Sequence, residues 1–146
     1  MKERFETFTV LIAKISRNIR KIKNREMAEY GLRGAQVSCL YYLYCEKTLI
    51  AAELCERCEE DKATISRALE YLEENGYIVS GERGGHRYKS PLSLTEKGEA
   101  VGKRIFDKVK AVLSEVSVGL SEEERVAFYR SLAVISEGLE RLATDK

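Results

Sequence analysis

One proline, one histidine and no tryptophan occur in the 146 residues of this chain, and each scarcity excludes something. With Pro91 alone and ten glycines, little interrupts the backbone, so long regular elements are expected. With His86 alone, no histidine-rich metal site can be assembled. No apolar run approaches the ~20 residues that a bilayer-crossing helix needs. The opening "MKERFETF" is charged and has no apolar core, which does not fit a signal peptide. The expected compartment is therefore the cytoplasm, where the four cysteines start as free thiols. An excess of one charge is also missing: 25 basic against 24 acidic residues leave +1. DNA binding requires a basic patch and not a basic protein, so this balance weighs only lightly against it.

What is present is a length suited to one domain and a composition, 44% hydrophobic and 34% charged, of a helix-rich protein. At the N-terminus, Phe5, Phe8, Ile12, Ile15, Ile19 and Ile22 recur at steps of three and four, a helix with one apolar seam. Towards the C-terminus, Val101, Ile105, Val109, Val112 and Val116 form a second seam on a helix that Thr95 should cap. After "VGLS", Phe128, Leu132, Ile135, Leu139 and Leu142 form a third. Ser121 with Glu124 reads as the capping box that opens this last helix. Seams this long at both chain ends call for a cover. An intertwined homodimer supplies it, and a monomeric helical bundle is the alternative.

The middle follows another grammar. "GAQVSCLYYLYCE" predicts a helix from about Ala35 to Glu46, "IAAELCERC" a short one, and "DKATISRALEYLEENG" a third, with Asp61 as N-cap and Gly76 as its stop. In "YIVSGERGGHRYKSPLSLT" the period switches to that of strands. Tyr77 to Val79 lead into a glycine-rich tip at Gly81, Gly84 and Gly85, and a strand from Tyr88 to Leu94 returns. Pro91 in that strand predicts a sheet edge. Helix, short helix, turn, helix and hairpin make a winged helix-turn-helix.

In the helix after the turn, Ile65, Ala68, Leu69 and Leu72 share one face, leaving Lys62, Thr64, Ser66, Arg67 and Glu70 outward. The N-terminal part of a recognition helix enters the major groove, and this distribution suits it. Arg67 has the fork for guanine O6 and N7, and the Thr64 and Ser66 hydroxyls serve bases or phosphates. A plain amphipathic surface helix would show the same pattern. The hairpin tip "GERGGHRYK" adds Arg83, Arg87 and Lys89, with His86, against Glu82 alone. A solvated tip needs no such cluster; contact with phosphate or with the minor groove does.

The run "AELCERCEEDKATISRALEYLEENGYIV", followed by a basic wing closing on "LSLTEKG", resembles the MarR family of transcriptional regulators, and the likeness extends over roughly residues 5 to 142. The resemblance implies a mostly α protein with a small β-hairpin wing. Its winged helix-turn-helix core would span 32–95, flanked by dimerisation helices at 1–30 and 96–146 of one MarR-type domain. It further implies a homodimer on a pseudo-palindromic double-stranded DNA operator, most members being repressors, many released by a small-molecule effector or by cysteine oxidation. Lys62, Thr64, Ser66 and Arg67 would read the major groove, Arg83, His86, Arg87 and Lys89 would contact the backbone or minor groove, and Arg33 and Gln36 would contact phosphate. The family wing carries aspartate and arginine nine and seven positions before the threonine of its L-T pair. Here those positions are His86 and Tyr88, so Arg87 and Arg83 become the minor-groove candidates. A turn position often held by glycine is Glu59, inside the acidic run "EED".

The cysteines admit two readings. Cys55 and Cys58 form a C-x-x-C, but on a helix, at positions where the family places small apolar residues; Cys39 falls where a valine-like residue packs, and Cys45 lies on another face. Small hydrophobes are thus favoured over a metal pair or a redox site at Cys55 and Cys58. Thiol-sensing members carry their reactive cysteine near the start of the first helix, and this chain has none before Cys39. No catalytic constellation, phosphate loop or metal motif is present, so neither an enzyme nor a cofactor is expected. A winged-helix module that binds protein instead of DNA is the remaining alternative.

Overall fold

The computed structural model describes residues 5–81 and 89–145. In chain order it holds α1 (Phe5–Met27), a 3-10 turn (Ala28–Tyr30), α2 (Ala35–Glu46), α3 (Ala51–Cys58), α4 (Lys62–Glu74), β1 (Ile78–Ser80), β2 (Leu92–Leu94), α5 (Glu96–Val116) and α6 (Glu122–Thr144). By its contacts the chain divides into two units, Met1–Lys110 and Ala111–Lys146.

The first unit is organised around α2, whose Val37, Ser38, Cys39, Leu40 and Leu43 are all buried. A helix apolar on most of its circumference must be surrounded. Leu40 and Leu43 share one core cluster with Leu54 of α3, Ile65, Leu69 and Leu72 of α4, Ile78 of β1, Leu92 of β2 and Ile105 of α5, each no more than 1% exposed. Burial of this completeness contributes roughly 1.5–3 kcal/mol per side chain. Arg104 of α5 reaches α1 and the 3-10 turn, donating to the Glu26 carboxylate at 3.1 Å and the Tyr30 hydroxyl at 2.7 Å.

The chain leaves α2 through a γ-turn. Lys47 has φ 72° and ψ −53°, and the Thr48 N–H donates to the Glu46 carbonyl at 2.9 Å, a geometry that strains a residue other than glycine. The Lys47 ammonium is held over the Tyr44 ring, 4.6 Å from its centre, and 3.4 Å from Glu99. The turn delivers Leu49 to the sheet.

Strands β1 and β2 pair antiparallel, Ile78 with Leu94, Val79 with Ser93 and Ser80 with Leu92. Two expectations are corrected here. Among the described residues the return strand covers only Leu92–Leu94; the expected start at Tyr88 lies outside them. The strand is also not an edge at Leu92. Leu92 exchanges both backbone bonds with Leu49, at 3.2 and 2.9 Å, on the side away from β1. Pro91 is tolerated because it lies one residue before the position that must donate, and it only accepts, from the Gly81 N–H at 2.6 Å.

The "LTEKG" closure has a steric meaning. The Thr95 hydroxyl accepts the Gly98 N–H at 3.1 Å, capping α5 as expected, and donates to the Gly76 carbonyl at 2.6 Å. A Cβ at Gly98 would overlap the Tyr77 carbonyl oxygen, and one at Gly102 would come within 2.9 Å of the Tyr44 Cβ. Small residues at these two positions let α5 approach the end of α4 and the flank of α2.

In the second unit, Ser121 and Glu124 form the expected capping box, at 3.1 and 2.9 Å. Helix α6 buries no residue: Phe128 is 47%, Leu139 56% and Leu142 74% exposed. The α1 seam is likewise uncovered at Ile15 and half-covered at Phe8, Ile12, Ile19 and Ile22.

Candidate nucleic-acid interface

Two helices with the same stop set the turn. At the end of α3 the Glu60 N–H donates to the Cys55 carbonyl (3.1 Å) and the Glu59 N–H to the Glu56 carbonyl (3.3 Å). At the end of α4, Tyr77 and Gly76 do the same to Leu72 (2.8 Å) and Glu73 (3.2 Å). Both motifs place one residue in the left-handed region, Gly76 at φ 79° and Glu59 at φ 55°. The position expected to favour glycine therefore does so for a backbone reason, and Glu59 occupies it at a steric cost. The acidic run also has a second explanation in Asp61. Its carboxylate accepts the Thr64 N–H at 2.7 Å and caps α4. Those bonds hold the Asp61 carboxyl below its ordinary value, so it stays charged where the helix dipole favours an anion.

The cap settles how α4 is presented. Lys62, Ala63, Ser66, Arg67 and Glu70 are exposed, while Ile65, Ala68, Leu69 and Leu72 are buried. Thr64 is half-buried on the flank. Its hydroxyl is already engaged, by Asp61 and by Arg67 Nη2 at 3.4 Å. The arginine is thereby leaned along the outward face, and Thr64 steers it.

Of the remaining sequence candidates, Lys89 is exposed just before β2, and Arg33 is exposed before α2. Gln36 is half-buried and accepts the Arg33 N–H at 3.2 Å through its side-chain oxygen, completing the α2 N-terminus with Asn24, which accepts the Gly34 N–H at 2.8 Å. Arg83, His86 and Arg87 lie outside the described residues. Another cation near the turn is committed elsewhere: Arg57 forks onto Glu46 with two 2.9 Å bonds, tying α3 to α2. Among the described residues no group of three or more histidine, cysteine or acidic side chains could hold a metal.

The cysteines divide by environment. Cys39 and Cys58 are buried, Cys55 is half-buried and Cys45 exposed. The sequence reading missed the residue beside them, Lys23, which is only 6% exposed. Its ammonium lies 4.2 Å from the centre of the Tyr41 ring and 5.2 Å from that of Tyr42. The available signal was spacing, since Lys23 falls four residues after Ile19 and four before the buried Met27.

A helix-turn-helix followed by a wing, with a capped polar and basic helix facing outward, defines the class of winged helix-turn-helix proteins. A sequence model of the MarR family matches residues 30–87. An uncharacterized HTH-type transcriptional regulator of Bacillus cereus is 30% identical over 122 residues, 83% of this chain and 81% of that protein. Among solved structures, a crystal structure of MarR superimposes with a TM-score of 0.77 at 28% identity, covering 94% of each chain. A MarR family regulator from Listeria monocytogenes, complexed with a 26mer DNA, does so at 0.75 and 25% identity, over 95% of this chain and 90% of that one. The chain belongs to the MarR family, as a helix-turn-helix transcriptional regulator. No described helix is long and apolar enough to cross a membrane.

Proposed function

We propose that this regulator acts in the cytoplasm as a homodimeric repressor on a pseudo-palindromic operator, and that a small-molecule effector releases it. The reading rests chiefly on one observation, the outward face of α4 with Lys62, Ser66 and Arg67 presented behind the Asp61 cap. In it, Ser66 and Arg67 meet base edges, Thr64 positions Arg67, and Lys62 meets bases or phosphate. Lys89, with Arg83, His86 and Arg87, serves the wing's contacts to backbone or minor groove, and Arg33 and Gln36 a phosphate near the α2 N-terminus. One domain, 1–146, carries both tasks, with 32–95 on DNA and the helices of 1–30 and 96–146 in the dimer. The exposed apolar residues of α1 and α6 support that assignment, because faces of this kind need a cover. The DNA-complexed relative supports the choice of nucleic acid over protein as partner.

Filter binding of genomic fragments tests it. Specific fragments should be retained with an affinity that falls steeply between roughly 50 and 200 mM salt. Retention without sequence preference, or none, would favour a protein-binding module. Panels of aromatic acids and of peroxides then separate ligand release from thiol switching.

A further inference from the structure

Helix α1 departs from the even charge of the chain. Between Thr7 and Arg25 it holds six cations and no acid, whereas the whole sequence carries 25 basic against 24 acidic residues. One of the six, Lys23, is turned inward beneath Tyr41 and Tyr42. The other five, Lys14, Arg17, Arg20, Lys21 and Arg25, are exposed. At helical spacing Lys14, Arg17, Lys21 and Arg25 fall into one stripe, with Arg20 on its flank and the seam of Ile12, Ile15, Ile19 and Ile22 on another face.

None of the five has an acidic partner among the described residues. Cations elsewhere are paired. Arg57 forks onto Glu46, Lys103 meets Asp107 at 2.7 Å, and Arg104 and Lys108 share Glu26 at 3.1 and 4.0 Å. Glu26, the acid next to the stripe in sequence, is therefore engaged by α5. Arg17 with Lys21 and Lys21 with Arg25 are like charges at i, i+4, which weaken a helix. A polyanion on that face removes the repulsion.

We infer that this stripe is a second DNA-contacting surface, lying against phosphates of the duplex beside the segment that α4 reads. It presupposes the DNA-binding role proposed above, and it is continuous with the α2 N-terminus, where that role already puts a phosphate. Asn24 lies three residues after Lys21 and seven after Arg17, on their face. Its side-chain oxygen accepts the Gly34 N–H at 2.8 Å, and its amide donates to the Arg20 carbonyl at 3.0 Å. Arg33, exposed and next to Gly34 in the chain, extends the cations onto the loop before α2.

From Lys14 to Arg25 the helix rises about 16 Å. A duplex carries one negative charge per roughly 1.7 Å of its axis, so a stripe of that length meets several phosphates. Such contacts ignore sequence; they add affinity and salt dependence and not base preference. A membrane surface would need the apolar side of the helix as well. That side is turned to the protein: Met27 is fully buried, and Ile12, Ile19 and Ile22 are half-covered.

The test compares the full-length wild type with a variant combining Arg17→Gln, Lys21→Gln and Arg25→Gln. The probes are a genomic fragment that wild type retains on filters and a mixed-sequence duplex of equal length. These side chains make no hydrogen bond or ion pair among the described residues, so circular dichroism and Tm should match wild type. The slope of log K against log salt should become shallower by about two to three on both probes, with the ratio between them kept. Arg17→Lys with Arg25→Lys preserves the charge and should keep the wild-type slope. An unchanged slope in the neutral variant, with wild type still preferring its fragment, would overturn the second surface and leave the DNA-binding role standing. Loss of the preference would assign these cations to the setting of α4 and overturn it too. A wild type that retains no duplex in a salt-dependent way would remove the DNA-binding role itself, and the stripe with it.

Discussion

The Asp61 carboxylate accepts the Thr64 backbone N–H at 2.7 Å, and Thr64 in turn takes Arg67 at 3.4 Å. One side chain therefore starts α4 and, through its neighbour, aims the arginine on it. Asp61→Ala should lower Tm by a few degrees at pH 7. The bond to Thr64 holds the Asp61 carboxyl below its usual 3.8, so folding favours the ionised form. Its contribution is complete above about pH 4 and disappears as pH falls through the depressed folded value. The Tm gap between wild type and Asp61→Ala should close in that acid window; a gap independent of pH would assign the loss to something other than the cap.

Arg67→Ala should weaken operator binding by about 1–3 kcal/mol and relax preference at one base pair, as expected for a bidentate guanine contact. Equal weakening on every DNA would make it a phosphate contact. Lys89→Ala should instead reduce the slope of log K against log salt by about one, with preference retained.

Glu59→Gly should stabilise the protein by about 0.5–1 kcal/mol, because the same motif at the end of α4 already uses a glycine, Gly76. Urea unfolding measures it directly. A loss of stability would mean that the Glu59 side chain contributes more than its backbone strain removes.

Gly98→Ala should be among the more destabilising single changes, roughly 2–3 kcal/mol or more, since its methyl would overlap the Tyr77 carbonyl between α5 and β1. Gly138→Ala is the control: a Cβ there meets only the Arg141 guanidinium, at 3.9 Å, and gains helix propensity.

Leu139→Asp with Leu142→Asp on α6 should convert a dimer to monomer in sedimentation, with helical content kept, because these residues are 56% and 74% exposed in the single chain. A wild type already monomeric at micromolar concentration would remove the dimer from the proposal.

The helices were legible because each carries its own instructions. Apolar spacing marks the face, Asp61 and Ser121 mark the starts, and Gly76 marks a stop; all of these act within one turn of chain. The α2 bounds, Ala35 and Glu46, agree with the sequence reading for that reason. Lys62, Ser66 and Arg67 were legible as an outward set by the same periodicity. The wing was legible in outline only. Pro91 argues for an edge by local rules, and the bridge from Leu49 to Leu92 overrules it.

By itself, then, the sequence determined what local chemistry decides: which residues form helices, which face each one hides, where the turn falls, and which family motifs it carries. Tertiary structure alone decided what depends on elements far apart in the chain. Lys23 of α1 lies beneath Tyr41 and Tyr42 of α2, and no spacing rule relates them. Nor does any local rule give the overlap that forces glycine at position 98 or the Leu49 partner of β2. Periodicity reports which way a side chain points, whereas what it meets there is set by the packing of other helices against that face.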